Sequence, residues 1–112
     1  MNFERTIGEQ NISVLHVEGK ILGNAADVFR KEMIAQLQIG HNRLVVNLMK
    51  VPLIDSSALG AIVITLKSCK RAGGKLVLLN PQKAVREVLE VTQLNTVVEI
   101  YDTEAGAYAA FS

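Results

Sequence analysis

The sequence has a single cysteine, Cys69, no tryptophan and few other aromatic residues. An intrachain disulfide is therefore impossible, and this cysteine usage suits a reducing compartment. Aromatic residues make up 4% of the chain against 49% for all hydrophobic residues, so the core must be aliphatic. No apolar run approaches the roughly 20 residues that span a bilayer, and the N-terminus lacks the order of a signal peptide. We expect a cytoplasmic location without membrane insertion.

An excess of charge of one sign is also missing. Twelve basic and eleven acidic side chains give a net charge of +1, which predicts no direct contact with nucleic acid or anionic membrane. The histidines His16 and His41 and the lone cysteine show no metal-ligand spacing. A Ser-His-Asp triad built on Ser56 would need a nucleophile elbow or an oxyanion loop, and neither motif is present. We therefore predict a protein that is not an enzyme and that uses no metal or cofactor, with this triad as the one minor enzymatic alternative.

Strand-like and helix-like patterns alternate along the chain. Short apolar runs bounded by turn residues predict strands, and apolar residues at helical spacing predict helices. The strands are predicted at residues 3–7, 12–17, 44–48, 75–79 and 97–100, and the first two helices at about 24–39 and 57–71. Asn24, Asn80 and Thr103 are expected to cap the first, third and fourth helices, with Pro81 in the first turn of the third. Gly73-Gly74 is expected to end the second helix.

The resulting order, β-β-α-β-α-β-α-β-α, predicts an α/β fold in a single domain over residues 1–112. Strands that alternate with helices imply parallel strands joined by right-handed crossovers, and the initial hairpin adds one antiparallel strand. We expect a mixed, mostly parallel central sheet of about five strands with about four helices. No internal repeat or linker divides the chain.

The most informative stretch is Asp55-Ser56-Ser57-Ala58-Leu59-Gly60, which follows the strand at 44–48 and opens the second helix. We expect Ser56 to be the N-cap, because its hydroxyl can accept a bond from amides that lack an intrahelical partner. Asp55 either orients that hydroxyl or is an ordinary polar residue at a strand end. The dipole and amides of a helix start also favour a phosphate. By position alone, a structural cap remains the simpler interpretation of Ser56.

The second helix also has two distinct faces when it is projected at 3.6 residues per turn. The inward stripe consists of Leu59, Ile62, Val63, Leu66 and Cys69. The opposite face, here called the outward strip, consists of Ser57, Gly60, Ala61, Ile64, Lys67, Ser68 and Arg71. We predict that the outward strip docks a partner, with Ile64 as anchor and the two cations at the rim. The alternative is an ordinary surface with one exposed isoleucine.

Taken together, these segments resemble a STAS domain, the family of the bacterial anti-sigma factor antagonists. The resemblance covers almost the whole chain and is carried by Glu18-Gly19-Lys20-Ile21, Asp55-Ser56-Ser57-Ala58-Leu59-Gly60, Gly73-Gly74-Lys75-Leu76, Asn80-Pro81 and Ile100-Tyr101-Asp102-Thr103-Glu104. It implies a partner switch in regulation of transcription. The unphosphorylated domain binds an anti-sigma factor that is also a serine kinase with an ATPase fold, which frees a sigma factor. The kinase then phosphorylates Ser56, with Ser57 as the rival acceptor, and a serine phosphatase resets the switch.

Two positions depart from the family pattern. Members commonly carry glycine where this chain has Ala58, and many carry an acidic residue near Gly23. Other roles on the same fold stay open: an accessory subunit of a transporter, part of a stress-sensing complex, or a module that senses a small ligand or nucleotide. Nothing in the sequence demands a dimer, so we expect a monomer.

Overall fold

The computed structural model describes all 112 residues, and its elements follow the predicted order. The strands are Asn2–Ile7 (β1), Ser13–Glu18 (β2), Arg43–Lys50 (β3), Lys75–Leu79 (β4) and Glu99–Tyr101 (β5). The α-helices are Ala25–Gln38 (α1), Ser56–Arg71 (α2), Lys83–Val91 (α3) and Glu104–Ala109 (α4). The predicted α/β class, with five strands and four helices, is confirmed.

The five strands form one sheet in the sequential order β1-β2-β3-β4-β5. β1 pairs antiparallel with β2, and every other pair is parallel. A right-handed crossover between neighbouring strands always places its helix on the same side of the sheet. Accordingly α1, α2 and α3 cover one face of the sheet. The C-terminal ends of β2 to β5 lie at the same end of the sheet as the N-termini of the helices that follow them.

The sheet separates a large core from a small one. The large core contains Leu15 and Val17 of β2 together with apolar side chains of α1, α2 and α3. The small core lies on the other face, where Ile12 and Val14 pack with Ala107 of α4. Ile12 and Val14 thus face away from Leu15 and Val17, because successive side chains of a strand point to opposite faces of the sheet.

Of the caps predicted for α1, α3 and α4, two are wrong. Asn24 has a helical backbone at the start of α1, and its side chain makes no capping bond. Asn80 adopts a left-handed conformation with φ 56°, and α3 begins only at Lys83. Pro81 therefore lies before the helix, and its predicted place in the first turn is wrong. Asparagine tolerates positive φ better than most residues, so here it serves a turn instead of a cap. Thr103 is confirmed as a cap, because its hydroxyl accepts a bond from the Gly106 N–H at 3.1 Å.

The C-terminal end of α2 is formed by the two glycines predicted to end it. Gly73 has φ 77°, and the Gly74 N–H donates to the Cys69 carbonyl at 2.8 Å. Gly74 also packs against the loop before β3, where a Cβ atom would lie 2.0 Å from the Asn42 carbonyl oxygen. This close backbone contact holds the end of α2 against the start of β3.

Candidate functional site

The N-terminus of α2 is capped by Asp55, so the predicted cap Ser56 is wrong. The Asp55 Oδ1 atom accepts bonds from the Ser57 N–H at 3.0 Å and the Ala58 N–H at 3.2 Å. Ser56 is instead the first residue of the helix, and it is exposed. Aspartate and serine are comparable N-caps, so contacts outside the helix decide between them.

The deciding contact is made by the second oxygen of the same carboxylate. Asp55 Oδ2 accepts a bond from the N–H of Gly23, in the loop between β2 and α1, at 2.8 Å. Backbone pairing joins the same two segments, because Ile21 donates to the Leu53 carbonyl at 3.0 Å and forms a parallel bridge with Ile54. The Asp55 side chain therefore connects the β2–α1 loop to the start of α2.

These bonds also affect the charge of Asp55. The hydrogen bond from Gly23 is the largest cause that lowers the pKa of Asp55 below its ordinary value, and the Ala58 and Ser57 amides add to it. Donors that point at a carboxylate stabilise its ionised form. At neutral pH Asp55 is therefore a fixed anion directly beside Ser56.

The surface around Asp55 carries accessible hydroxyl groups and apolar side chains. Ser56 and Ser57 are both exposed. Leu22 and Leu53 lie on the two segments that Asp55 connects, and they are 37% and 39% exposed. This part of the C-terminal edge of the sheet combines a modifiable hydroxyl, a fixed anion and apolar surface.

The outward strip of α2 is accessible along its length, with one exception. The exposed members are Ser57, Gly60, Ile64, Lys67 and Arg71, and Ser68 is half-buried. Ile64, the predicted anchor, is 50% exposed. Ala61 was placed wrongly, because it is only 4% exposed and belongs to the large core. α1 packs alongside α2, so the buried arc of α2 is wider than the sheet alone would make it and also includes Thr65.

The inward stripe of α2 is where it was predicted. Leu59, Ile62, Leu66 and Cys69 are buried in the large core, and Val63 packs against it. Burial raises the pKa of the Cys69 thiol to about 11, so it stays protonated at neutral pH. Cys69 is a small core residue, as the sequence suggested.

The charge of α2 is unevenly distributed. The helix carries no acidic side chain, and its cations Lys67, Lys70 and Arg71 lie in its last two turns. None of these cations forms an ion pair with an acidic side chain of the chain. The outward strip thus runs from hydroxyl groups, through a small and an apolar residue, to unpaired positive charge.

Neither histidine lies beside Ser56. His16 contacts the Thr6 hydroxyl through Nε2 and the Asn47 amide through Nδ1, both at 3.0 Å, on the sheet face opposite α2. His41 lies just before β3, whereas Ser56 follows the other end of that strand. The structure therefore does not assemble a Ser-His-Asp triad. No group of three or more His, Cys, Asp or Glu residues is placed to hold a metal ion, and no helix is long and apolar enough to cross a membrane.

Comparison with known proteins places this geometry in a family. The family model described as "STAS domain" matches residues 5–107. A protein of Thermotoga maritima named "Putative anti-sigma factor antagonist" is 40% identical over 79 residues, which cover 70% of each chain. A crystal structure of a protein with the same name from the same species aligns with 97% of this chain and 93% of that chain, with TM-score 0.90 and 33% identity.

A more distant neighbour shares the fold. The anti-sigma factor antagonist SpoIIAA in its unphosphorylated form aligns with 96% of this chain and 93% of its own, with TM-score 0.78 and 23% identity. The phosphorylated form of SpoIIAA aligns with 99% of this chain and 100% of its own, with TM-score 0.72 and 20% identity. At these identities the similarity shows the fold alone.

Proposed function

The chain belongs to the STAS domain family, and from this membership we propose that it acts as an anti-sigma factor antagonist. The unphosphorylated domain binds an anti-sigma factor that is also a serine kinase, and this binding frees a sigma factor for transcription. The name of the Thermotoga maritima relative, 70% of whose length is matched, supports this role. The proposed role is regulatory and not catalytic, and a monomer in the cytoplasm, where sigma factors act, performs it.

The observation that carries the proposal is the position of Ser56. It is the exposed first residue of α2, so a kinase can reach its hydroxyl without unfolding the domain. A phosphate there adds roughly −1.5 to −2 charges directly beside the ionised Asp55. A partner that covers the start of α2 must desolvate this charge or lose the contact, so phosphorylation breaks the complex. Removal of the phosphate by a serine phosphatase restores binding.

The outward strip supplies the rest of the proposed interface. Ser57, Gly60, Ile64 and Arg71 lie at helical spacings of 3, 7 and 14 residues, so one partner surface can contact them together. Gly60 permits close approach of the partner, and half of the Ile64 side chain is available for burial. Lys67 and Arg71 have no acidic partner within the chain, which favours a partner with acidic groups at that end.

Phosphate mapping tests the proposed acceptor directly. A pull-down from the source bacterium should recover a kinase of the ATPase fold; recovery of a membrane transporter instead would favour the role of accessory subunit. The protein is then incubated with that kinase and ATP, and the product is mapped by mass spectrometry. We expect phosphate on Ser56 in the native protein and in the matched control Ser57→Ala, and none on Ser56→Ala. Phosphate on Ser57 alone, or none with an active kinase, would contradict the assignment.

A further inference from the structure

Asp55 makes hydrogen bonds in two directions from one rigid group. Oδ1 accepts from the amides of Ser57 and Ala58 inside α2, and Oδ2 accepts from the amide of Gly23 in the β2–α1 loop. The two oxygens belong to one planar carboxylate, so a displacement of the group from the helix amides also disturbs its bond from Gly23.

A phosphate on Ser56 would compete with this carboxylate. The phosphate carries more negative charge than Asp55 and has three strong acceptor oxygens, which suit the same helix amides. Asp55 already occupies the amides of Ser57 and Ala58. Repulsion between the two anions and competition for the amides both move the carboxylate away from the helix start.

We propose that the Asp55 side chain is a latch, which phosphorylation of Ser56 opens to release the backbone amide of Gly23. This inference rests on the proposed function, because it takes Ser56 as the phosphoacceptor. The backbone pairing of Ile21 with Leu53 and Ile54 stays in place, as do the bonds from the Ala25 and Ala26 amides to the Leu22 and Gly23 carbonyls, so the change is confined to the backbone at the Gly23 N–H. Gly23 faces open space on one side, because no atom lies within 4 Å of the position of a Cβ there.

The latch gives the switch a second component besides charge. Leu22 is exposed and immediately precedes Gly23, and Leu53 is exposed on the segment that leads to Asp55. With the latch closed, the two leucines are held at fixed positions beside Ser56. With the latch open, the backbone beside Leu22 keeps the bonds from the Ala25 and Ala26 amides but loses the bond from Gly23 to Asp55. Leu22 is then held less firmly, and a partner also meets a new charge.

Amide hydrogen exchange of Gly23, followed by NMR, tests the latch without any kinase. Phosphoserine is installed at position 56 by genetic encoding, and the matched control carries it at the exposed Ser112, beyond α4. A hydrogen bond to a charged acceptor is strong enough to slow exchange about tenfold. We expect Gly23 to exchange about tenfold faster with phosphoserine at 56, and at the native rate in the control. Asp55→Asn should also accelerate it, because an amide offers only one acceptor oxygen.

The outcomes separate the latch from the proposed function. The amide of Val46, in the buried strand β3, serves as internal reference, and its unchanged rate shows that the domain stays folded. Native exchange of Gly23 in the phosphoserine-56 protein overturns the latch, whether or not Asp55→Asn changes that rate. Failure of a kinase to modify Ser56 would count against the proposed function and leave this measurement unaffected.

Discussion

The substitution Gly60→Ala should change the stability of the domain and its affinity for the proposed partner in opposite directions. Gly60 lies in the second turn of α2, and no atom lies within 4 Å of the position that a Cβ would take. The free protein therefore accommodates the added methyl group. A glycine inside a helix destabilises it by roughly 0.5–1 kcal/mol relative to alanine. For a domain of this size, Gly60→Ala should raise the melting temperature by about 2–5 °C.

The effect on the proposed complex should have the opposite sign. If a partner surface packs closely on Gly60, an added methyl group overpacks the interface at a cost of about 1–3 kcal/mol. That range corresponds to a Kd about 5-fold to 150-fold weaker. If the variant is more stable and yet binds less tightly, loss of structure cannot explain the weaker binding. A raised melting temperature together with a raised Kd would therefore identify Gly60 as a contact residue.

Two measurements and one control decide this prediction. Thermal unfolding gives the stability of the free protein, and calorimetric titration with the recovered kinase gives Kd. The control is Gly74→Ala, whose Cβ would lie 2.0 Å from the Asn42 carbonyl oxygen and which should therefore destabilise the domain. If Gly60→Ala is stabilised and binds as tightly as the native protein, nothing approaches Gly60 closely and that part of the interface is refuted.

Three further predictions concern the same surface. Ile64→Glu should weaken kinase binding at least about tenfold, since it loses about 1 kcal/mol of apolar burial and adds a charge to desolvate. The control Val91→Glu changes an 83% exposed residue of α3 and should bind normally. Equal effects of the two substitutions would refute the role of Ile64 as anchor. Ser56→Asp should weaken binding while Ser56→Ala preserves it, and indistinguishable affinities would argue against charge as the switch. The bond from Gly23 lowers the pKa of Asp55, so its stabilising effect is present above the ordinary pKa of 3.8 and lost as pH falls through the lower folded value. The Gly23 amide shift should therefore titrate with a midpoint below 3.8, and a midpoint at or above that value contradicts the bond.

The order of the elements could be predicted because its signals are local. Alternation of side chains along a strand and apolar spacing along a helix are properties of a few consecutive residues. The strand Lys75–Leu79 and the end of α2 at Arg71 were placed correctly on this basis. The two glycines after α2 mark its end, and the continuous apolar run at Lys75–Leu79 marks a buried strand. Each pattern admits few other secondary-structure assignments.

The incorrect predictions concern residues whose role depends on contacts with residues distant in the sequence. Asp55 and Ser56 are adjacent and are comparable N-caps, and the bond from Gly23, 32 residues away along the chain, selects Asp55. Ala61 was assigned to the surface because a projection of one helix cannot include the neighbour that covers its side. Asn80 was read as a cap, although the same residue type also suits a left-handed turn.

The two departures from the family pattern meet at the Asp55 carboxylate. Ala58 replaces the common glycine, and its methyl group is fully buried in the large core while its amide still donates to Asp55. The stretch around Gly23 lacks the acidic residue that the family resemblance leads us to expect there, and Gly23 presents a backbone N–H to Asp55 at 2.8 Å. Alanine favours the helix start more than glycine does, and an N–H donor favours the ionised carboxylate where a second acid would oppose it. Both departures therefore strengthen the binding of one carboxylate beside Ser56. Under the proposed function, a phosphate on Ser56 would have to displace that carboxylate.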